Sequence, residues 1–134
     1  MVTFPANIEK LYDMLAPISA FALKAGTKKE IIKEIELGIE EVLVNVIVHG
    51  LRDNPEGIIS IDLKLTNSPG LQITITDNGV PFNPSEYVAA VPSRLTYTDV
   101  RIGGLGLFLI FKIMDRVEYT RLEGKNILTL EKYL

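Results

Sequence analysis

The sequence predicts an α+β fold, a two-layer sandwich in which a mixed and mainly antiparallel sheet is covered by helices on one face. Helical apolar periodicity dominates up to about residue 49, and period-two segments follow at 58–65, 71–76, 117–121 and 127–133. A further apolar helix is inserted between the second and third of those segments, so helices come first and a hairpin-rich sheet later. The 134 residues carry no internal repeat, linker or low-complexity tract, and the chain reads as a single domain, 1–134.

Asn7 is the expected N-cap of an amphipathic helix that runs to about Ala25 and stops at Gly26, with Pro17 predicting a kink or break inside it. Thr27 and Glu30 have capping-box spacing for a second helix, Lys28 to His49, with Gly50 as its stop. Ile58–Leu65 and Leu71–Thr76 alternate as strands around the turn-forming Asn67-Ser68-Pro69-Gly70. From Val80 to Gly103 the chain is Pro-rich and irregular over about 24 residues, a length that points to a functional or mobile segment. An apolar helix from Leu105 to about Met114 follows, then strands at Val117–Arg121 and Ile127–Tyr133 joined at Glu123-Gly124-Lys125.

Composition excludes several classes. Apolar residues make up 47% and charged residues 23%, the balance of a folded globular domain. There is no Cys, which removes disulfides and thiolate metal sites, and the single His leaves little for a Ser-His-Asp site. The net charge is −3 with no basic stripe, so nucleic acid is not an expected partner. No apolar run is long enough to span a bilayer, and the N-terminus lacks the basic leader and apolar run of a signal peptide. The expectation is a soluble cytoplasmic protein with no membrane partner.

Three segments carry chemistry. On the second helix, Glu41, Asn45 and His49 recur every four residues; each step turns about 400°, so the three drift only about 80° and share a face. The residues between them are apolar, so this turn is expected to be buried nearly all round. Buried Glu and Asn need partners. They are either satisfied core polar groups or a site, in which Asn45 offers its amide oxygen to Mg²⁺ and Glu41 acts as general base toward a hydroxyl. His49 reads as a C-terminal residue that interacts with the helix dipole.

Asp77-Asn78-Gly79-Val80-Pro81-Phe82 follows a strand directly. Asn-Gly also fits a type I′ hairpin, but Pro81 and Pro84 would spoil a returning strand. An acid placed at a strand end can accept a hydrogen bond from an exocyclic amine such as adenine's, and Gly79 would let a base lie against the backbone. Gly103-Gly104-Leu105-Gly106-Leu107 opens the last helix, where unobstructed N–H groups at the positive dipole end suit phosphate; a hinge before a core helix is the alternative. There is no Walker-type loop and no zinc spacing.

Taken together and in this order, the three segments resemble the motifs of the GHKL, or Bergerat-fold, ATPase superfamily, which includes gyrase, histidine kinases and MutL. Glu41-x-x-x-Asn45-x-x-x-His49 is similar to its N-box, Asp77-x-Gly79-x-Pro81-Phe82 to its first glycine box and Gly104-x-Gly106 to its second. The Asp-Asn-Gly-Val-Pro-Phe wording and the Ile-Gly-Gly-Leu-Gly-Leu lid exit most resemble the anti-sigma-factor serine/threonine kinases. The resemblance implies ATP and Mg²⁺ as cofactors, Glu41 activating an acceptor serine, and Asn45 holding Mg²⁺ against the phosphates. It implies Asp77 reading the adenine amine, Gly79 backing the base, Gly103, Gly104, Leu105, Gly106 and Leu107 enclosing the triphosphate, and 80–102 as the ATP lid.

Relatives often place a basic residue directly before the small residue that precedes Gly-x-Gly; here Ile102 stands there, and Arg101, one step earlier, is the candidate for the terminal phosphate. The last strand of relatives often begins Gly-Thr, whose hydroxyl holds adenine through water, whereas this chain has Asn126-Ile127. The implied partners are an anti-anti-sigma protein and a sigma factor, with homodimerisation implied by the family alone. Two other readings compete: a nucleotide-dependent binding module without transfer, and a detached histidine-kinase ATPase domain, which would lack a separate acceptor His.

Overall fold

The computed structural model describes residues 1–51, 54–67, 70–84 and 105–134. Asn7 caps a short 3₁₀ turn, Ile8–Lys10, by accepting from the Glu9 N–H at 2.9 Å, and α1 (Leu11–Lys24) continues from it. Leu11, Met14, Leu15, Ile18 and Ala22 form its buried stripe at helical spacing. Pro17 neither ends nor divides this helix, so of the kink or break that its position predicts the break does not occur. The end is a Schellman motif: Gly26 has φ +90°, its N–H reaches Leu23, and the Thr27 N–H reaches Ala22.

α2 (Lys29–Asn45) starts with Lys28 as its cap, and no side chain caps it. The expected Thr27–Glu30 capping box is therefore not formed. Thr27 is instead drawn into the exit of α1, and its hydroxyl has no hydrogen-bond partner among the described residues. The α-helix stops at Asn45 and gives way to a π turn, Val46–Gly50, closed by the Leu51 N–H on the Val46 carbonyl. This wider turn breaks the four-residue phase of the N-box. Val42, Leu43, Val46 and Ile47 are buried, but Val48 and His49 are exposed, so burial is not all round.

The sheet has five described strands: β1 (Val2–Pro5), β2 (Ile58–Thr66), β3 (Gly70–Asp77), β4 (Arg116–Leu122) and β5 (Lys125–Tyr133), in the order β1-β2-β3-β5-β4. All of its described ladders are antiparallel, so the sheet has no parallel component there. β4 and β5 join through Glu123 and Gly124, both at positive φ, the type I′ geometry of a two-residue hairpin.

Alternation sets the layers. Ile59 and Ile61 of β2, Leu71, Ile73 and Ile75 of β3, and Leu128 and Leu130 of β5 form one core cluster with the helices. Asp62, Lys64 and Thr74 occupy the opposite phase, towards solvent. α2 packs against both α1 and α3 (Leu105–Ile113). Lys132 of β5 donates to the Ile113 carbonyl at 2.8 Å, which satisfies an orphan acceptor at the end of α3 and ties it to the sheet.

Candidate functional site

β3 ends on an acid in phase with its core residues. Gly70 and Leu71 are buried, burial then alternates through Ile73 and Ile75, and Asp77 takes the next inward position with 5% of its surface exposed. A carboxylate there needs donors. One oxygen, Oδ1, accepts from the Gly79 N–H at 2.8 Å and from the Asn126 amide at 3.0 Å. The first of these is the Asx-turn bond that bends the chain out of the strand. Burial pushes the Asp77 carboxyl above its ordinary value, opposed by the Asn126 and Gly79 hydrogen bonds and by the charge of Arg121.

The next residues are fixed as firmly. Asn78 accepts from the Ile58 N–H at 2.9 Å and donates to the Glu56 carbonyl at 3.2 Å, tying the exit of β3 to the start of β2. The Gly79 carbonyl accepts from the Arg121 guanidinium at 2.7 Å, and the Val80 N–H reaches the Gly50 carbonyl at 3.1 Å. No strand returns along β3 from Asn78-Gly79, because β5 occupies that neighbouring place, and the type I′ hairpin alternative is excluded.

Asp77 faces a cavity walled by Val42 and Val46 of α2, Ile75 of β3 and Leu128 of β5, with Phe82, Pro84, Tyr119 and Asn126 completing it. Aliphatic walls around one buried acid suit a flat base carrying an amine. The cavity measures about 20 Å³, room for roughly one water molecule and not for a purine. Gly79 does not line this cavity; it lies beyond Asp77, in an open groove with Gly50, Pro81 and Arg121.

Asn45 sits on α2 between the cavity-lining Val42 and Val46 without itself lining the cavity. Its amide nitrogen donates to the Glu41 carbonyl at 2.9 Å, which turns its oxygen away from the helix backbone. Glu41 and Asn45 are both half-buried. Thus the structure gathers Asp77 and the apolar flank of the N-box helix at one cavity, with Glu41 and Asn45 on the same helix beside it. Leu105, Gly106 and Leu107 open α3, the helix that packs on α2. Arg101, Gly103 and Gly104, and the lid expected at 80–102 beyond Pro84, lie outside the described residues.

Sequence reasoning noted Asn126 only as a departure from the Gly-Thr of relatives and did not foresee its contact with Asp77. Asn126 is 5% exposed, and its amide oxygen accepts from the Tyr119 hydroxyl at 2.5 Å and the Phe82 N–H at 3.3 Å. Its nitrogen also donates to the Val80 carbonyl at 2.8 Å. The available signal was a polar residue in the core phase of Asn126-x-Leu128-x-Leu130.

Known proteins agree with this architecture. The chain is 29% identical to the serine-protein kinase RsbW of Listeria monocytogenes, over 87% of this chain and 75% of that protein. It is 33% identical to the anti-sigma F factor of Bacillus cytotoxicus, over 87% of this chain and 80% of that one. The histidine kinase domain of the blue-light activated histidine kinase from Erythrobacter litoralis EL346 shares the fold, with a TM-score of 0.59 at 19% identity; the match covers 92% of this chain and 61% of that one. The model of the histidine kinase-like ATPase domain matches residues 4–132, and the chain belongs to that family.

Proposed function

We propose that this protein is an ATP-dependent serine/threonine kinase of the anti-sigma-factor type, which phosphorylates an anti-anti-sigma-like protein and acts on transcription through a sigma factor. The observation that carries the reading is Asp77: a buried acid at a strand end with one oxygen held by two donors, facing an aliphatic cleft against the N-box helix. The curated relatives named a serine-protein kinase and an anti-sigma factor support the choice of reaction and partners.

In this reading the adenine amine donates to Asp77 while Val42, Val46, Ile75 and Leu128 cover the ring. Asn45 would hold Mg²⁺, and Gly103, Gly104, Leu105, Gly106 and Leu107 would offer backbone N–H groups to the phosphates, with Arg101 as the candidate cation. Glu41 takes the proton from the acceptor hydroxyl. ATP supplies the transferred phosphoryl group, and the protein's contribution is position and charge neutralisation. Among the described residues no helix is long and apolar enough to cross a membrane, which accords with a cytoplasmic site of action.

A specific observation favours a second reading. Ile102 stands where relatives often carry the basic residue ahead of Gly-x-Gly, which suits a module whose nucleotide occupancy switches a protein interaction without transfer. One series separates the two. Asp77→Asn is expected to weaken ATP binding by about 1–3 kcal/mol, as one buried acceptor becomes a donor. Glu41→Ala is expected to retain ATP binding while phosphotransfer falls by roughly 10²–10⁴. Wild-type protein that binds ATP yet labels no protein partner would establish the second reading.

A further inference from the structure

Asp77, Asn126 and Arg121 are direct cross-strand partners, one row of side chains at one end of β3, β5 and β4. Asn126 stands in the middle of that row. A carboxamide offers two N–H donors and one oxygen with two lone pairs, and in Asn126 all are used. The nitrogen donates to Asp77 Oδ1 and to the Val80 carbonyl, and the oxygen accepts from the Tyr119 hydroxyl and the Phe82 N–H. Rotating the amide by half a turn would set its oxygen against the Asp77 carboxylate and the Val80 carbonyl, and its NH₂ against the Phe82 N–H. The orientation is therefore fixed by its neighbours.

This fixes the acid in turn. Asp77 Oδ1 is held by two donors of known direction, the Gly79 N–H and the Asn126 amide, so the carboxylate cannot spin about its terminal torsion without breaking both. Oδ2 is left as the oxygen for a ligand. A carboxylate oxygen accepts from an amine and repels a carbonyl, which is the difference between a 6-aminopurine and a 6-oxopurine.

We infer that Asn126 is a positioning residue for base selection: it locks Asp77 so that one oxygen alone meets the base, and thereby sets the preference for a 6-aminopurine over a 6-oxopurine nucleotide. The inference rests on the nucleotide-binding reading above and deepens it. A residue that merely filled space here would, on removal, weaken every nucleotide alike. Loss of the lock weakens the amine-bearing base and spares the oxo base, because a freed carboxylate can turn away from the carbonyl.

The test is equilibrium titration of the full chain with ATP and with inosine triphosphate, which differ at that one purine substituent, alongside melting curves without nucleotide. Wild type is expected to prefer ATP. Asn126→Ala should lower the ATP-to-inosine-triphosphate affinity ratio by about tenfold, and Tyr119→Phe, which removes only the hydroxyl that orients Asn126, should lower it several-fold. If Asn126→Ala does not fold, the ratio in Tyr119→Phe decides. A ratio equal to wild type in the variants that fold, or equal losses for both nucleotides, overturns the role of Asn126 while leaving the nucleotide site standing. Wild-type protein that binds neither nucleotide, or an Asp77→Asn variant with an unchanged ratio, overturns the nucleotide reading itself and this inference with it.

Discussion

Gly79 presses against the backbone of Gly50: a Cβ placed on Gly79 would lie 2.5 Å from the Gly50 carbonyl oxygen and 2.8 Å from its carbonyl carbon. The obstacle is main chain at the end of the π turn, which cannot swing aside as a side chain would. The same carbonyl accepts from the Val80 N–H. Gly79→Ala must therefore separate β3's exit from the N-box helix and weaken that bond. The expected cost is about 1–3 kcal/mol, read as a fall in the urea midpoint at constant slope. A midpoint equal to wild type would show that the two segments part freely.

Asp77 gives stability a pH dependence whose sign follows from its burial. Its carboxyl binds a proton more tightly in the folded chain than in the unfolded one, where the value is near 3.8. Between 3.8 and the raised folded value the native state holds the extra proton, so stability falls as pH rises through that window. Below it the contribution is fully present, and above it the loss is complete. Asp77→Asn keeps an oxygen able to accept from Gly79 and Asn126 but removes the titration. Subtracting the variant's urea-midpoint profile from that of wild type should leave a difference that moves against wild type as pH rises. A flat difference would mean that the carboxyl is not desolvated.

Thr27 carries a buried hydroxyl with no partner among the described residues. Its backbone belongs to the exit of α1 and its side chain to neither helix, so the group is desolvated without return. Thr27→Val keeps the shape and removes the orphan, and is expected to stabilise the fold by about 1 kcal/mol, visible as a higher melting midpoint. A lower midpoint would mean that the hydroxyl has found a partner.

The fold was legible because period-two and helical patterns are local. Leu71, Ile73 and Ile75 face one side, and Leu11, Met14, Leu15 and Ile18 form one stripe; neither needs knowledge of the rest of the chain. The position of Asp77 was legible for the same reason, since an acid followed by Gly79, Pro81 and Pro84 cannot continue a hairpin. Asn126 was not, because its meaning depends on register: it meets Asp77 only through pairing of β3 with β5, elements far apart in sequence with α3 between them. The failed capping box at Thr27 has a different cause. α2 starts from Lys28, one residue later than the box requires, so the Thr27 hydroxyl is not at the N-cap even though its N–H serves the end of α1. Pro17 does not break α1, in which Met14, Leu15 and Ile18 are buried around it.

Asn45 is the remaining link between the cavity and a metal. One N–H of its amide donates to the Glu41 carbonyl at 2.9 Å, which sets the nitrogen, not the oxygen, against the helix backbone. What it turns outward is an acceptor oxygen, the atom a hard cation takes. Asn45→Ala removes the oxygen at the last residue of α2, where the backbone is still helical and Ala is well tolerated, so α2 should persist and the effect should be confined to the ligand. ATP affinity in wild type is expected to rise on adding Mg²⁺. In Asn45→Ala that increment should largely vanish, while affinity measured with a chelator present stays within about twofold of wild type, less than one hydrogen bond is worth. Titrating both proteins with and without the metal decides it: an undiminished Mg²⁺ increment in the variant places the ion elsewhere.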